Sequence, residues 1–590
     1  MCGIIGIISK DEFSVKNTLL KGLKRLEYRG YDSSGYVIGS GEISKITGEI
    51  DPLIESVNGS KKTKVAISHS RWATHGGVTK INAHPHFNSK KTIFAVHNGI
   101  LENFQDLKDN LVKKGYKFIS ETDTEVIPHY FDDQLKKGND MHKAIQNFMD
   151  DARGTFAILI IKKDDNKNND NKNDENKIYA LKRDSPLVLG LAEGKFILAS
   201  DIYAFSGETN KAIFFEDNEY AVISESDYEF FNAEGKHIEK KIIEFEWTRE
   251  DETMEHYPHY MIKEIKEQPS SSLRLINSFD TIQDKKFNKL AELMKNTKRI
   301  VFLACGTSYH ASLVGSILLS HLGIYTRSII ASEADSFVKY DEKTLCIAIS
   351  QSGETMDVVT QVKKAKQAGA KIASIVNVPF STIQRLSDVS IEILAGQEVC
   401  VAATKTFTNQ VIVLLELAKR LGYKINLKPI PKKIQQTIAI NEDKVKELST
   451  KLSKKRDIFV LGKGMSYPMA REIALKLKEI DYIHAEGMMA GELKHGTIAL
   501  IDKDVPVISL VPNNNEEMIS ANQEVKARGA WVIKISNVEG KGDLIVPKCD
   551  EAEFAIYSGI VGHLISYYVG VILKREIDKP RNLAKSVTVK

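Results

Sequence analysis

At 590 residues the chain is too long for one hydrophobic core, and a prior of ~150 residues per domain allows about four units. Hydrophobic residues at 42% and charged residues at 27% exclude global disorder, and a net charge of +4 without a Lys/Arg stripe gives no footprint for nucleic acid. Five cysteines (Cys2, Cys305, Cys346, Cys400, Cys549) are odd in number and lack CxxC spacing, so neither a disulfide framework nor a zinc site is expected and a reducing cytoplasm fits.

The N-terminus, Met-Cys-Gly-Ile-Ile-Gly, has neither a basic n-region nor an apolar h-region, so no secretory signal is expected. From 1 to about 240 short β-rich runs dominate, such as Ile93 to Val96 and Phe156 to Ile161, with helices predicted at Val15 to Leu26 and Asp123 to Leu135. This is an α+β pattern. Lys162 to Lys177 is almost wholly Lys, Asp, Asn and Glu and reads as a solvated insertion between two strands.

After the charged run at 237 to 252, strands alternate with longer helical stretches, the signature of βαβ units and parallel sheets. Here the sequence repeats. Arg299 to Tyr309 aligns with Asp457 to Tyr467, and Gly369 to Asn377 with Gly529 to Asn537, at offsets of 158 and 160 residues. Two doubly wound domains in tandem are therefore expected. The nearly uncharged segment Phe554 to Leu573 is long enough for a bilayer, but its three glycines, two serines and His563, and its match to the helix around Val411 to Leu421, favour a buried helix and no membrane.

Two centres of chemistry stand out. Cys2 becomes the first residue if Met1 is removed, and its own α-amino group, with an ordinary pKa of ~7.7 to 8.0, can then take the thiol proton. A cysteine at position 2 alone means little. Arg71 in Arg-Trp-Ala-Thr-His-Gly offers a guanidinium for a carboxylate, Asn98-Gly99 an amide and a backbone N–H for an oxyanion, and Asp123 a partner for an ammonium. Together they suit a zwitterionic amino acid whose amide is hydrolysed. His69, His75, His84, His86 and His97 lack a convincing further ligand set, so no metal is expected, and Trp72 taken alone is an ordinary core aromatic.

The second centre starts at Thr344 to Ser350, a buried-strand pattern ending in Gln351-Ser352-Gly353-Glu354-Thr355 before a helix. Such a strand-to-helix turn binds phosphate through hydroxyls and exposed N–H groups. Thr307 and Ser308 occupy a similar turn after Ile300 to Cys305. Simple N-capping is the plainer alternative for either turn. Leu475 to Glu479, His484 to Glu486 and Gly491 to Gly496 supply acids, bases and ammonium groups, or else a solvated helix face.

Cys-Gly-Ile-Ile-Gly, Arg-Gly-Tyr-Asp-Ser-Ser-Gly at 29 to 35, Ser-Arg-Trp-Ala-Thr-His-Gly and His-Asn-Gly resemble class II glutamine amidotransferase domains of the N-terminal-nucleophile hydrolase fold. Ser350 to Thr355, the 475 to 496 stretch and the tail Pro580 to Val589 resemble the isomerase half of the glucosamine-6-phosphate synthase family, in the same order along nearly the whole chain. The resemblance implies an αββα glutaminase domain (1–240), a linker and lead-in helix (241–284), sugar isomerase (SIS) domains at 285–425 and 455–576, and a tail (577–590) entering the sugar site. It implies Cys2 as nucleophile, Asn98 and Gly99 as oxyanion hole, Arg71, Thr74, His75 and Asp123 around glutamine, and Trp72 as an ammonia gate. Thr307, Ser308, Ser350, Gln351, Ser352 and Thr355 are implied to hold the sugar phosphate, Glu479 to move a proton between C1 and C2, His495 to open the ring, Lys476 to assist, and Lys585 to contact the ketone. No cofactor is implied, and the partners are glutamine, fructose 6-phosphate and a second copy of the chain in a homodimer.

Two positions depart from the family pattern: Ala403 stands where a serine is usual and Thr497 where a proline usually follows His-Gly. An amidophosphoribosyltransferase is disfavoured by the missing paired-acid pyrophosphate-sugar motif, and an asparagine synthetase by the missing ATP loop. A purely regulatory sugar-phosphate binder would not need Glu479, His495 and Lys585 beside an ammonia source.

Overall fold

The computed structural model describes residues 2–163, 176–245 and 254–587. Most of the predicted insertion at 162–177, part of the charged run at 237–252 and the last three residues of the tail lie outside them. The chain divides into two compact units, one of Met1–Arg249 with Ser586–Lys590, the other of Glu250–Lys585.

The first unit is built on two antiparallel sheets. In the eight-stranded sheet the strand Gly3–Ser14 runs between Lys195–Ala199 and Lys62–Arg71, so the residue preceding it is anchored at the sheet's middle, not at a loose edge. In the seven-stranded sheet Ile93–Leu101 pairs with Gly154–Lys162. The unbroken apolar run in Gly154–Lys162 is explained by burial on both faces. Phe156, Ile158 and Ile160 meet the helices Phe104–Lys113, Val126–Lys136 and Met141–Asp151, while Ala157, Leu159 and Ile161 meet Ile4, Ile8 and Ile67 of the other sheet. On the far face of the eight-stranded sheet the helical stretch from Val15 to Lys24 buries Val15, Leu19, Leu20 and Leu23. The layers therefore run helix, sheet, sheet, helix, as the αββα expectation requires.

The second unit holds two five-stranded, all-parallel sheets with the same strand order. One runs Thr326–Ile330, Arg299–Ala304, Thr344–Ser350, Lys371–Val376, Val389–Glu392; the other runs His484–Met489, Asp457–Gly462, Pro506–Val511, Trp531–Ser536, Leu544–Ile545. The repeated segments of the sequence fall on equivalent strands. One continuous core joins both sheets through the helices Lys405–Arg420, Ser466–Asp481 and Glu551–Ile572, and the lead-in helix Tyr260–Ser278 adds Met261, Ile265 and Leu275 to it.

Glu551–Ile572 is apolar enough by length and composition to cross a membrane, yet 83% of its most apolar window is buried in the protein. A helix hydrophobic all round is what a central position demands. It approaches Ser466–Asp481 so closely at Gly562 that a Cβ there would lie 2.3 Å from Ile473 Cγ1. Gly562→Val is therefore expected to destabilise the second unit by about 1–3 kcal/mol through overpacking. Thermal unfolding of the variant should show a lower midpoint for the second unit, with that of the first unchanged.

Candidate functional site

In the first unit, strand register brings residues of the first candidate centre together. Gly3 pairs with Ser70, which carries Cys2 to the end of Lys62–Arg71, where Cys2 Sγ accepts a hydrogen bond from Trp72 N–H at 3.2 Å. Asn98, from the other sheet, donates its amide to Cys2 O at 2.9 Å, using one of the two N–H groups that an amide carries. Burial pushes the Cys2 thiol up, with the Trp72 N–H and the Arg71 charge pulling the other way. A nearby base is needed to make the thiolate. Gly99 has φ +124, and a Cβ there would sit 2.0 Å from Thr155 O, so no other residue fits beside Asn98.

Arg71 shapes the loop that follows it. Its guanidinium donates to the carbonyls of His75, Gly76 and Gly77, while Asp32 accepts from Ala73 N–H at 2.8 Å. Thr74 is exposed at the loop tip, His75 lies edge-on to Phe104 at 5.3 Å, and Trp72 lies edge-on to Tyr31 at 5.8 Å. Asp123 is buried and accepts from Leu101 N–H at 2.9 Å. Asp32 was not picked out in the sequence, although it sits inside the quoted 29 to 35 motif.

The remaining histidines form an internal stack. His69 and His84 rings lie 3.9 Å apart, and His69 Nε2 donates to His97 O at 3.0 Å. Burial holds His69 at about 3, and also lowers His84, His86 and His97, so these imidazoles stay neutral. Among the described residues no group of three His, Cys, Asp or Glu side chains is arranged to hold a metal.

In the second unit the charged cluster lies on Ser466–Asp481, against the first turn of Gly306–His321. Thr307 and Ser308 lie in the first turn of that helix, directly after the strand Arg299–Ala304, with Gly306 opening the helix. Lys476 pairs with Glu479 and with Glu472 at 3.3 Å, and donates to Thr307 Oγ1 at 3.1 Å. Thr307 in turn donates to Glu472 at 3.1 Å, and His310 bonds Glu472 at 2.8 Å. Burial opposes ionisation of Glu472, but the Lys476 charge and the His310 bond outweigh it and hold the carboxyl down at about 2; Lys476 is raised by the same pairing. Glu472 escaped the sequence reading, although Glu472, Lys476 and Glu479 share the i, i+4, i+7 spacing of one helical face.

The strand Thr344–Ser350 ends where expected, and the turn after it is closed by its own hydroxyls. Ser350 Oγ lies 3.0 Å from Thr355 Oγ1 and accepts from Gly353 N–H at 3.0 Å, while Ser352 Oγ accepts from Glu354 N–H at 3.1 Å. Gln351 is half-buried at the same turn, and Ser308 accepts from Gln410 at 3.0 Å. His495 is exposed on the turn Glu492–His495, and among the described residues no hydrogen bond or ion pair joins it to Glu479. The Lys585 side chain is buried, paired with Glu398, and donates to Cys400 O at 2.8 Å. Glu398 was also missed, since its partner lies 187 residues along the chain.

Comparison with known proteins bears on both units. The glutamine amidotransferase domain family matches residues 69–207, and the SIS domain family matches 293–420 and 451–566. Glutamine–fructose-6-phosphate aminotransferase [isomerizing] of Thermococcus kodakarensis is 42% identical and that of Aquifex aeolicus 38% identical, each over the full length of both chains. The C-terminal domain of glucosamine-fructose-6-phosphate aminotransferase from Francisella tularensis aligns over 56% of this chain and 100% of its own at 32% identity and a TM-score of 0.50.

The depressed Glu472 carboxyl carries a pH signature. Because its pKa falls from 4.5 to about 2 on folding, its contribution is complete above the unfolded value and is lost as pH falls from about 4.5 to about 2. Glu472→Gln should lack that portion of the acid slope and should lower the stability of the second unit by about 3–5 kcal/mol at neutral pH, the cost of breaking a buried pair. Melting curves of the parent and variant from neutral to acid pH measure both effects.

Proposed function

The chain belongs to the glutamine–fructose-6-phosphate aminotransferase [isomerizing] family, and on that premise we propose that it hydrolyses glutamine and transfers the nitrogen to fructose 6-phosphate, giving glutamate and glucosamine 6-phosphate. The observation that carries this reading is the pairing of a Cys2–Asn98 centre in one unit with the Glu472–Lys476–Glu479 cluster in the other, on a chain that matches such enzymes end to end.

Removal of Met1 frees an α-amine on Cys2, which takes the thiol proton that burial otherwise retains. The thiolate attacks the glutamine amide. The resulting oxyanion is held by the Asn98 amide and Gly99 N–H, ammonia leaves, and water hydrolyses the thioester to glutamate. Arg71 and Asp123 bind the substrate's carboxylate and ammonium, with Thr74 and His75 beside them, and Trp72 gates the ammonia. In the second unit Thr307, Ser308, Ser350, Gln351, Ser352 and Thr355 hold the phosphate and hydroxyls, His495 opens the ring and Lys585 engages the C2 ketone.

Ammonia then condenses at C2. Glu479 takes a proton from C1 and returns it to C2, which turns the ketose imine into an amino aldose. Its carboxylate is suited to this because it is the partly exposed member of the cluster, at 21% side-chain exposure, while Lys476 beside it is 1% exposed. The five free cysteines support a cytoplasmic location, and the exposed Met489 and Leu500 flanking His495 support a homodimer that covers this stretch.

Incubating the pure protein with glutamine and fructose 6-phosphate should yield glucosamine 6-phosphate; a different amino sugar, or none, would overturn the reading. Cys2→Ala should abolish glutamate release while hexose phosphate still binds. Lys585→Arg should reduce amino-sugar synthesis at least ~10²-fold while appreciable glutamine hydrolysis remains. Near-parental synthesis would remove Lys585 from the chemistry.

A further inference from the structure

Lys585 is surrounded by more acid than an ion pair needs. Its ammonium donates to the Glu398 carboxylate, and the two side chains are 2% and 0% exposed. Glu398 Oε1 accepts from Thr404 N–H at 2.9 Å and Thr406 N–H at 3.1 Å, and Oε2 from Thr406 Oγ1 at 2.7 Å. Burial alone would raise this carboxyl, yet Lys585 and these donors hold it below its ordinary value.

A second carboxyl reaches the same loop. Glu264, on Tyr260–Ser278, accepts from Val399 N–H at 2.5 Å and Cys400 N–H at 3.1 Å through Oε1, while Oε2 is buried without a hydrogen-bond partner. Burial, and after it the negative charge of Glu398, push Glu264 up to about 8. At neutral pH the pair holds one proton and one negative charge between them. Other charged or titratable groups facing the pair are Lys405, which is paired with Glu267 at 2.8 Å, the buried Cys400 thiol, and His563 from Glu551–Ile572.

A lysine held as an ammonium by a buried carboxylate cannot attack a carbonyl. We propose that Glu398, with Glu264 behind it, receives the proton that Lys585 gives up in attacking the open-chain ketose, so that Glu398 is a catalytic acid–base residue for that step. The proposal rests on the reading of Lys585 given above. An Nζ–H bond breaks and its proton passes to Glu398. The nitrogen lone pair bonds to the carbonyl carbon, and the π pair moves onto oxygen, which takes that proton back. A further proton passes from nitrogen to the same oxygen through Glu398, the C–O bond breaks, and water leaves. Ammonium plus ketone becomes protonated imine plus water, with atoms and charge balanced. Glu264 keeps its own proton through the step at neutral pH and ionises only as pH rises, so the pair is neutral while it holds the proton in flight.

Borohydride reduction captures such an imine on Lys585 as a stable adduct. The full chain is mixed with fructose 6-phosphate, quenched with borohydride at a series of pH values, and the Lys585 peptide weighed. Glu398→Gln should be captured at least ~10-fold more slowly than the parent at neutral pH. The deficit should close as pH rises and hydroxide takes the proton, and Glu398→Asp should recover most of the rate. Equal capture by the parent and Glu398→Gln at neutral pH would overturn the proposal and leave Lys585 in place. A deficit of the same size at every pH would also overturn it, since that is what a structural role gives. No adduct in the parent would remove both readings. If Glu398→Gln does not fold, Glu264→Gln serves instead: it keeps the loop acceptor but cannot ionise, and an unchanged pH profile of capture would overturn the proposal.

Discussion

Keeping the Lys476 ammonium charged where water does not reach requires acceptors on more than one element, and the second unit supplies them. Glu472 and Glu479 come from Lys476's own helix, while Thr307 comes from the helix Gly306–His321 of the first SIS domain, whose His310 in turn bonds Glu472. An unpaired buried charge costs several kcal/mol, so the two domains can separate only by exposing or orphaning this cluster. The arrangement therefore fixes their mutual position, and it does so with the same side chains proposed for the sugar chemistry. The core shared by Lys405–Arg420 and Glu551–Ile572 adds area, but apolar packing alone does not specify one geometry as sharply as a charge that needs all its partners.

Much of this was legible in the chain, because local signals and tertiary demands agree there. Thr344–Ser350 reads as a buried strand and is one. The repeat at 299 and 457 falls on equivalent strands of two sheets with the same order. The blocks around Cys2, Arg71 and Asn98 converge because the start of Gly3–Ser14 and the end of Lys62–Arg71 meet beside Asn98 of Ile93–Leu101 in the other sheet. What the chain did not disclose is where polar groups spend their hydrogen bonds. The Arg71 guanidinium is engaged by its own loop, and the Ser350 hydroxyl by its own turn. Glu472, Glu398 and Glu264 were hidden for a different reason. Each also needs a partner more than a hundred residues away, Thr307 and His310 for Glu472, Lys585 for Glu398 and the Val399–Cys400 backbone for Glu264.

The two units place their reactive groups by different means. In the first, the proposed nucleophile Cys2 is one residue outside a central strand, so the sheet ladder itself sets its position and little side-chain bonding is needed. In the second, Lys585 follows the last helix, and its position depends on the tail being held. Asp578 accepts from Tyr260 and Met261 N–H at 2.8 and 2.9 Å, and its carbonyl accepts from Val401 N–H at 3.0 Å. A tail tied at that point behaves as part of the scaffold, not as a frayed end.

The helix Glu551–Ile572 has a consequence for how the protein is made. Residues along its length meet Met469, Ile473 and Ile480 of the second SIS domain, and the same core takes in Met261, Phe407 and Leu414 of the first half of the unit. During translation those partners leave the ribosome earlier and wait with their apolar faces uncovered, because the element that closes them is synthesised afterwards. The first unit's sheets need no such late piece for their central strands. The isomerase core thus stays open until the final helix is released, and exposed apolar surface of that kind is what makes a partly made chain prone to aggregate.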